Sequence, residues 1–146
     1  MGAVRDLSSA QYRELAEFRT QIRRFLYFSE ITAKEHGIEA QQHQMLLAVR
    51  GLPADTKPTI RELAAALYIR HHSAVELINR LEKSGFIARQ PGKEDRREVL
   101  VNLTTKGRGV LRRLALEHRA ELERTGPELA RALQSVLREG RRNGTV

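Results

Sequence analysis

Residues 59–86 read TIRELAAALYIRHHSAVELINRLEKSGF, and residues 91–107 read PGKEDRREVLVNLTTKG. The first stretch holds two helical patterns. Thr59 and Glu62 form a capping box that opens a short helix, Ile60 to Leu67. After a break of three or four residues, apolar side chains recur at Ala74, Leu77, Ile78 and Leu81, the spacing of one helix face. Gly85 supplies a stop, so a second helix is predicted from about His72 to Ser84. In the second stretch the period falls to two. Val99, Val101 and Leu103 share one strand face, and Phe86 to Gln90 is a β-prone partner run. Between the two runs, Pro91-Gly92-Lys93-Glu94-Asp95-Arg96-Arg97 is turn chemistry crowded with charge, predicting a β-hairpin with a basic tip.

Working outward, Ser8 and Gln11 make another capping box, and Leu15, Phe18, Ile22, Phe25 and Leu26 follow at helical spacing. One long first helix is predicted from Leu7 to His36, ended by Gly37. A shorter helix follows from about Ala40 to Arg50, with Leu46, Leu47 and Val49 inward and Gly51 and Pro53 closing it. Downstream of the hairpin, Thr104 caps a long helix to about Arg124. Thr125-Gly126-Pro127-Glu128 is read as its end and as the cap of a last helix through Leu129, Leu133, Val136 and Leu137 to Gly140. Arg141 to Val146 is read as a frayed tail. The fold class is mainly α with a small β-wing: a winged helix-turn-helix flanked by N- and C-terminal dimerisation helices. Residues 1–37 form the N-terminal dimerisation helix, 38–104 the winged domain and 105–146 the C-terminal dimerisation helices. The outer helices keep apolar stripes that the small domain has no core left to cover, which predicts a homodimer.

The 146 residues have 40% hydrophobic and 30% charged side chains, ordinary for a globular protein and too apolar for disorder. No cysteine is present, which excludes disulfides, thiol redox switches and Cys-based metal sites. No run is long and apolar enough to span a bilayer, and no export signal stands at the N-terminus, so the cytoplasm is expected. Net charge is +8 and uneven: residues 1–68 carry 9 basic and 8 acidic side chains, residues 69–146 carry 17 and 10. A basic half beside a neutral half points to a polyanion, and the 5% aromatic content speaks against base-stacking platforms. Double-stranded DNA is the expected partner.

In a helix-turn-helix the second helix enters the major groove with its early outward residues. With Ala74, Leu77, Ile78 and Leu81 inward, His72, Ser73, Glu76, Arg80 and Lys83 face outward, and Arg70 and His71 lie at the entry turn. Free N–H groups there attract phosphate, and Ser73 and the histidines add donors. Glu76 either accepts from a cytosine amine or pairs with Arg80 four residues on. Lys93, Arg96 and Arg97 lie where a two-stranded wing follows a minor groove, whose potential selects arginine. Asp95 beside them orients an arginine by a charge-assisted fork.

Thr59-Ile60-Arg61-Glu62-Leu63-Ala64, His72 to Phe86, and Asp95-Arg96-Arg97-Glu98-Val99-Leu100-Val101-Asn102-Leu103-Thr104-Thr105-Lys106-Gly107 resemble the MarR family of bacterial transcriptional regulators. The Asp-x-Arg wing followed by Leu-Thr and Lys-Gly is the most specific part. The resemblance implies a homodimer that binds a pseudo-palindromic operator, commonly as a repressor released by a small, often aromatic, ligand. It also implies that Arg97, braced by Asp95, reaches the minor groove. Many relatives carry a basic residue where Glu76 stands, so their operator sequence does not transfer. With the resemblance, Phe25, Phe28, His43 and Met45 become candidates for an aromatic effector site where the DNA lobes join the dimer lobe; each taken singly also reads as core.

Two other classes compete. A zinc-responsive regulator draws on His36, His43 and His118 with Glu30, Glu35 or Glu117, although His71 and His72 point about 100° apart on a helix and cannot share an ion. A winged helix can also serve as a protein-interaction module without DNA. No nucleophile–base set or phosphate loop is present, so neither an enzyme nor a cofactor is expected.

Overall fold

The computed structural model describes residue 2 and residues 5–142. The elements are α1 (Ser9–Glu35), α2 (Ala40–Gly51), α3 (Ile60–Ala66), α4 (His71–Lys83), β1 (Ile87–Pro91), β2 (Val99–Leu103) and α5 (Thr105–Arg142). This is the winged helix-turn-helix anticipated above. The chain forms two compact units, Glu30–Leu116 and Met1–Ser29 with Glu117–Val146.

Local chemistry sets the element ends. Before α1, Ser8 N–H donates to Gln11 Oε1 at 2.8 Å and Gln11 N–H to Ser8 Oγ at 3.1 Å, both arms of a capping box. After α1, Gly37 takes φ +77° and Ile38 N–H reaches back to the Ala33 carbonyl at 3.1 Å. Gly85 does the same for α4 at φ +81°, with Phe86 N–H on the Leu81 carbonyl at 2.9 Å. Thr59 Oγ1 accepts from Glu62 N–H at 3.2 Å to start α3. The start of α2, for which no cap was foreseen, uses Glu39 and Gln42 reciprocally.

The strands pair antiparallel from Ile87 opposite Leu103 to Pro91 opposite Val99. The segment before α3 adds a short third edge: Thr59 bridges Leu100, and Val101 N–H donates to the Pro58 carbonyl at 2.9 Å. The core of the unit Glu30–Leu116 is one cluster in which Met45, Leu46, Leu63, Ala74, Ile78, Leu81, Val101 and Leu114 are fully buried. The inward stripe predicted for α4 is therefore its buried face.

Two expectations need correction. Leu47 is 46% exposed; Met45, two residues earlier, is buried on α2 in its place, beside Leu46, which is inward as expected. The break expected at Thr125 to Glu128 does not occur, and α5 runs through Pro127 as one helix. Pro127 lacks the amide that would donate to the Glu123 carbonyl, but both residues are exposed to solvent, while the covered positions His118, Glu121, Thr125, Leu129, Ala132 and Val136 keep helical spacing across it. Thr125 Oγ1 donates to the Glu121 carbonyl at 2.9 Å. Of the tail expected to fray, residues 143–146 lie outside the described residues.

In the unit formed by the start of α1 and the end of α5, Arg24 Nη1 meets Glu128 Oε2 at 3.2 Å. His118 Nε2 and Ser29 Oγ are 2.8 Å apart, and the rings of Phe25 and Phe28 stand edge-on to His118 at 5.9 and 5.3 Å.

Candidate nucleic-acid interface

The candidate interface is the polar face of α4 and the tip of the wing. Burying Ala74, Leu77, Ile78 and Leu81 forces the rest of α4 outward. Arg70, His71, His72, Glu76, Arg80 and Lys83 are exposed, and Ser73 is half-buried. Arg70 is the N-cap residue, and its side chain makes no capping hydrogen bond. Arg80 does not use Glu76, the pair weighed above. Its Nη2 meets Glu39 Oε2 at 3.1 Å, so the acid that starts α2 holds it.

At the wing tip, Asp95 Oδ1 accepts from the Arg97 backbone N–H at 3.0 Å and from Arg97 Nε at 3.2 Å, while the Arg97 side chain is 93% exposed. The turn is tight: a Cβ on Gly92 would come within 2.4 Å of the Asp95 carbonyl oxygen. Lys93 and Arg96 stand exposed beside it. Lys57, in the loop before α3, places its ammonium 3.3 Å from Glu98 and 3.6 Å from Glu94. The hydrogen bond to Glu98, its charge and that of Glu94 hold the Lys57 ammonium above its usual range. The wing's acids are thus occupied on one side, and its three basic side chains are left outward.

Arg89 ties β1 to α4, donating to Asn79 Oδ1 and placing Nε 3.6 Å from Glu82. The Thr104-Thr105-Lys106-Gly107 run is a buckle between α4 and α5. Thr104 Oγ1 donates to the Gly85 carbonyl at 2.6 Å and accepts from Gly107 N–H at 3.0 Å. Lys106 Nζ donates to the Ser84 carbonyl at 2.8 Å and lies 4.5 Å from the Phe86 ring centroid. A Cβ on Gly107 would fall 2.0 Å from the Phe86 carbonyl oxygen, so only glycine lets α5 start there. The most specific motif in the sequence therefore does structural work around the wing.

Glu39, Lys57 and Arg89 were not singled out from the sequence. The Glu39–Gln42 capping box was legible; the partners of Lys57 and Arg89 are remote in sequence and left no local signal. Tyr68, in the turn between α3 and α4, is also new: it has φ +54° and is 97% exposed.

The candidate effector residues divide between the units. Phe25 and Phe28 lie half-buried against His118 in one; His43 and Met45 are buried on α2 in the other, Met45 inside the core cluster. Among the described residues no group of three His, Asp or Glu side chains is arranged to hold a metal ion. Among them, too, no helix is long and apolar enough to cross a membrane.

Residues 36–98 match the model of the MarR family. The chain is 29% identical over 86 residues to the HTH-type transcriptional regulator PecS of Dickeya dadantii (strain 3937), covering 58% of this chain and 51% of that one. It spans about half the length of the curated relatives it matches. Among solved structures, it is similar to a mutant MarR from E. coli complexed with operator DNA, with a TM-score of 0.64, 23% identity and coverage of 83% and 88% of the two chains. CouR from Rhodococcus jostii RHA1, bound to p-coumaroyl-CoA, superposes with a TM-score of 0.69 at 19% identity over 88% and 95%. Residues 36–98 are thus similar in sequence to the MarR family, and the chain has the winged helix-turn-helix fold of the solved structures it resembles.

Proposed function

We propose that the protein is a cytoplasmic, sequence-specific, double-stranded DNA-binding transcriptional regulator that acts as a homodimer on a pseudo-palindromic operator, without catalytic chemistry or a cofactor. The observation that carries this reading is the pairing of two basic elements on one compact unit. α4 turns its polar face out from an uncapped N-terminus, and the wing holds Arg97 outward through Asp95. A helix N-terminus with free N–H groups suits phosphate at the groove edge, and an extended arginine suits a narrow minor groove. That the similar mutant MarR from E. coli is complexed with operator DNA supports DNA as the partner.

A second copy is the natural occupant of the apolar face left on α1 and α5. Tyr12, Leu15, Leu26, Leu122, Leu133 and Leu137 are all exposed in a single chain. A two-fold pair would set two α4 helices about 34 Å apart, one turn of DNA. Repression released by a small aromatic effector completes the proposal. It draws on CouR's bound ligand and on the Phe25–Phe28–His118 cluster.

Selection of bound duplexes from a random-sequence pool tests the central part. An enriched inverted repeat with half-sites about one helical turn apart is expected; a pool that stays random after repeated rounds overturns it. A thermal-shift panel of phenolic and aromatic acids tests the effector, with Phe28→Ala and His43→Ala as controls. A ligand that stabilises wild type and releases the operator, with a weaker effect on Phe28→Ala, is expected. The absence of any responsive compound removes the effector from the proposal.

A further inference from the structure

The turn between α3 and α4 contains a residue that the packing of the winged unit does not explain. Leu67 ends α3, and Tyr68 follows in the left-handed region at φ +54°, with its N–H on the Ala65 carbonyl at 3.2 Å. Ile69 N–H then closes on the Ala64 carbonyl at 3.1 Å. Glycine suits such a position, because any Cβ crowds the following carbonyl oxygen there. Both Gly37 and Gly85, at the equivalent ends of α1 and α4, are glycines with positive φ. The chain instead places a bulky aromatic in the disfavoured conformation and leaves it 97% exposed, so no burial in the described unit offsets the strain.

Resting on the DNA-binding reading above, we infer that Tyr68 is a further DNA contact, donating its hydroxyl to a phosphate oxygen and laying its ring along the adjoining deoxyribose at the groove edge. Position supports this. Tyr68 stands two residues before Arg70, the N-cap of α4, and three before His71. A helix about 10 Å across nearly fills a major groove about 12 Å wide. A residue at the entry turn of the inserted helix is therefore level with a sugar-phosphate wall. The side chain is 97% exposed, so its ring and hydroxyl are open to a partner. A neutral phenol contributes a hydrogen bond to an anion without displacing a counterion. Its contribution is independent of base sequence and of salt, unlike that of its neighbour Arg70.

The test measures thermal unfolding and DNA affinity together for wild type, Tyr68→Gly, Tyr68→Phe and Arg97→Ala. Two probes of equal length are used: a duplex selected from the random pool and a duplex of unrelated sequence. Tyr68→Gly should unfold at the wild-type temperature or up to about 3 °C above it, since strain is relieved and no contact within the chain is lost. Its affinity for both duplexes should fall about tenfold, with the slope of log affinity against log salt unchanged. Tyr68→Phe keeps the backbone strain and the ring, and should lose most of that tenfold. Wild-type affinity in both Tyr68 variants, with Arg97→Ala weakened, overturns the role of Tyr68 and leaves the DNA reading standing. A wild-type protein that binds neither duplex overturns both. A fall in affinity confined to the selected duplex contradicts the backbone contact.

Discussion

The unit Glu30–Leu116 and the unit built from the start of α1 and the end of α5 handle apolar surface in opposite ways. In the first, α2, α3, α4 and the wing close on a single cluster, and the apolar face of α4 is wholly covered. In the second, Ala132 is the one buried apolar residue among those described, while Leu15, Leu26, Tyr27, Leu133 and Leu137 are exposed at 40–67%. Both units draw on the same helical periodicity. The difference is whether one chain can cover the stripe it makes. The winged unit is stabilised by its own core; in the proposed homodimer the start of α1 and the end of α5 would gain their burial from a second copy.

The largest effect should come from charging the uncovered stripe. Leu133→Asp with Leu137→Asp, one turn apart on α5, places four carboxylates in a two-fold interface and should weaken the dimer by about 4 kcal/mol or more. Sedimentation should then show monomer at micromolar concentration; an unchanged dimer would mean that this face is not the interface. Glycines sharpen the contrast. Gly107→Ala drives a methyl into the Phe86 carbonyl and should cost about 3 kcal/mol in chemical denaturation. Gly126→Ala, on the same helix but with nothing within 4 Å, should stabilise by about 0.8 kcal/mol. Equal effects at the two sites would contradict the close approach at Gly107.

On the DNA side, Arg97→Ala should lower operator affinity by about 2 kcal/mol. Asp95→Ala should lower it by about 1 kcal/mol although the wing becomes more positive, because the fork that holds Arg97 is lost. Tighter binding by Asp95→Ala would make Asp95 a repulsive neighbour rather than a brace.

The winged unit was largely legible in the sequence because its signals are local. The Thr59–Glu62 cap, the stops at Gly37 and Gly85 and the α4 stripe all act between near neighbours in sequence, and the structure uses each, as it does the Ser8–Gln11 box of the other unit. The strands came within one residue of their observed bounds. What was not legible depends on partners far apart in sequence. Glu39 holds Arg80 from 41 positions away, outcompeting the i,i+4 acid Glu76. Pro127 carries a strong local stop signal, yet the covered face on either side of it stays in phase and α5 continues. Tyr68 left no signal because no rule of composition places a tyrosine in left-handed backbone.

The central claim is that α4 and the wing hold DNA by phosphate neutralisation together with groove contacts. Its most direct test is the affinity of wild type and Arg97→Ala for the selected duplex across a salt series. A log–log slope of several units is expected, since each neutralised phosphate contributes about 0.9, with a slope about one unit shallower for Arg97→Ala. A salt-independent affinity, or identical curves for the two proteins, would contradict the account.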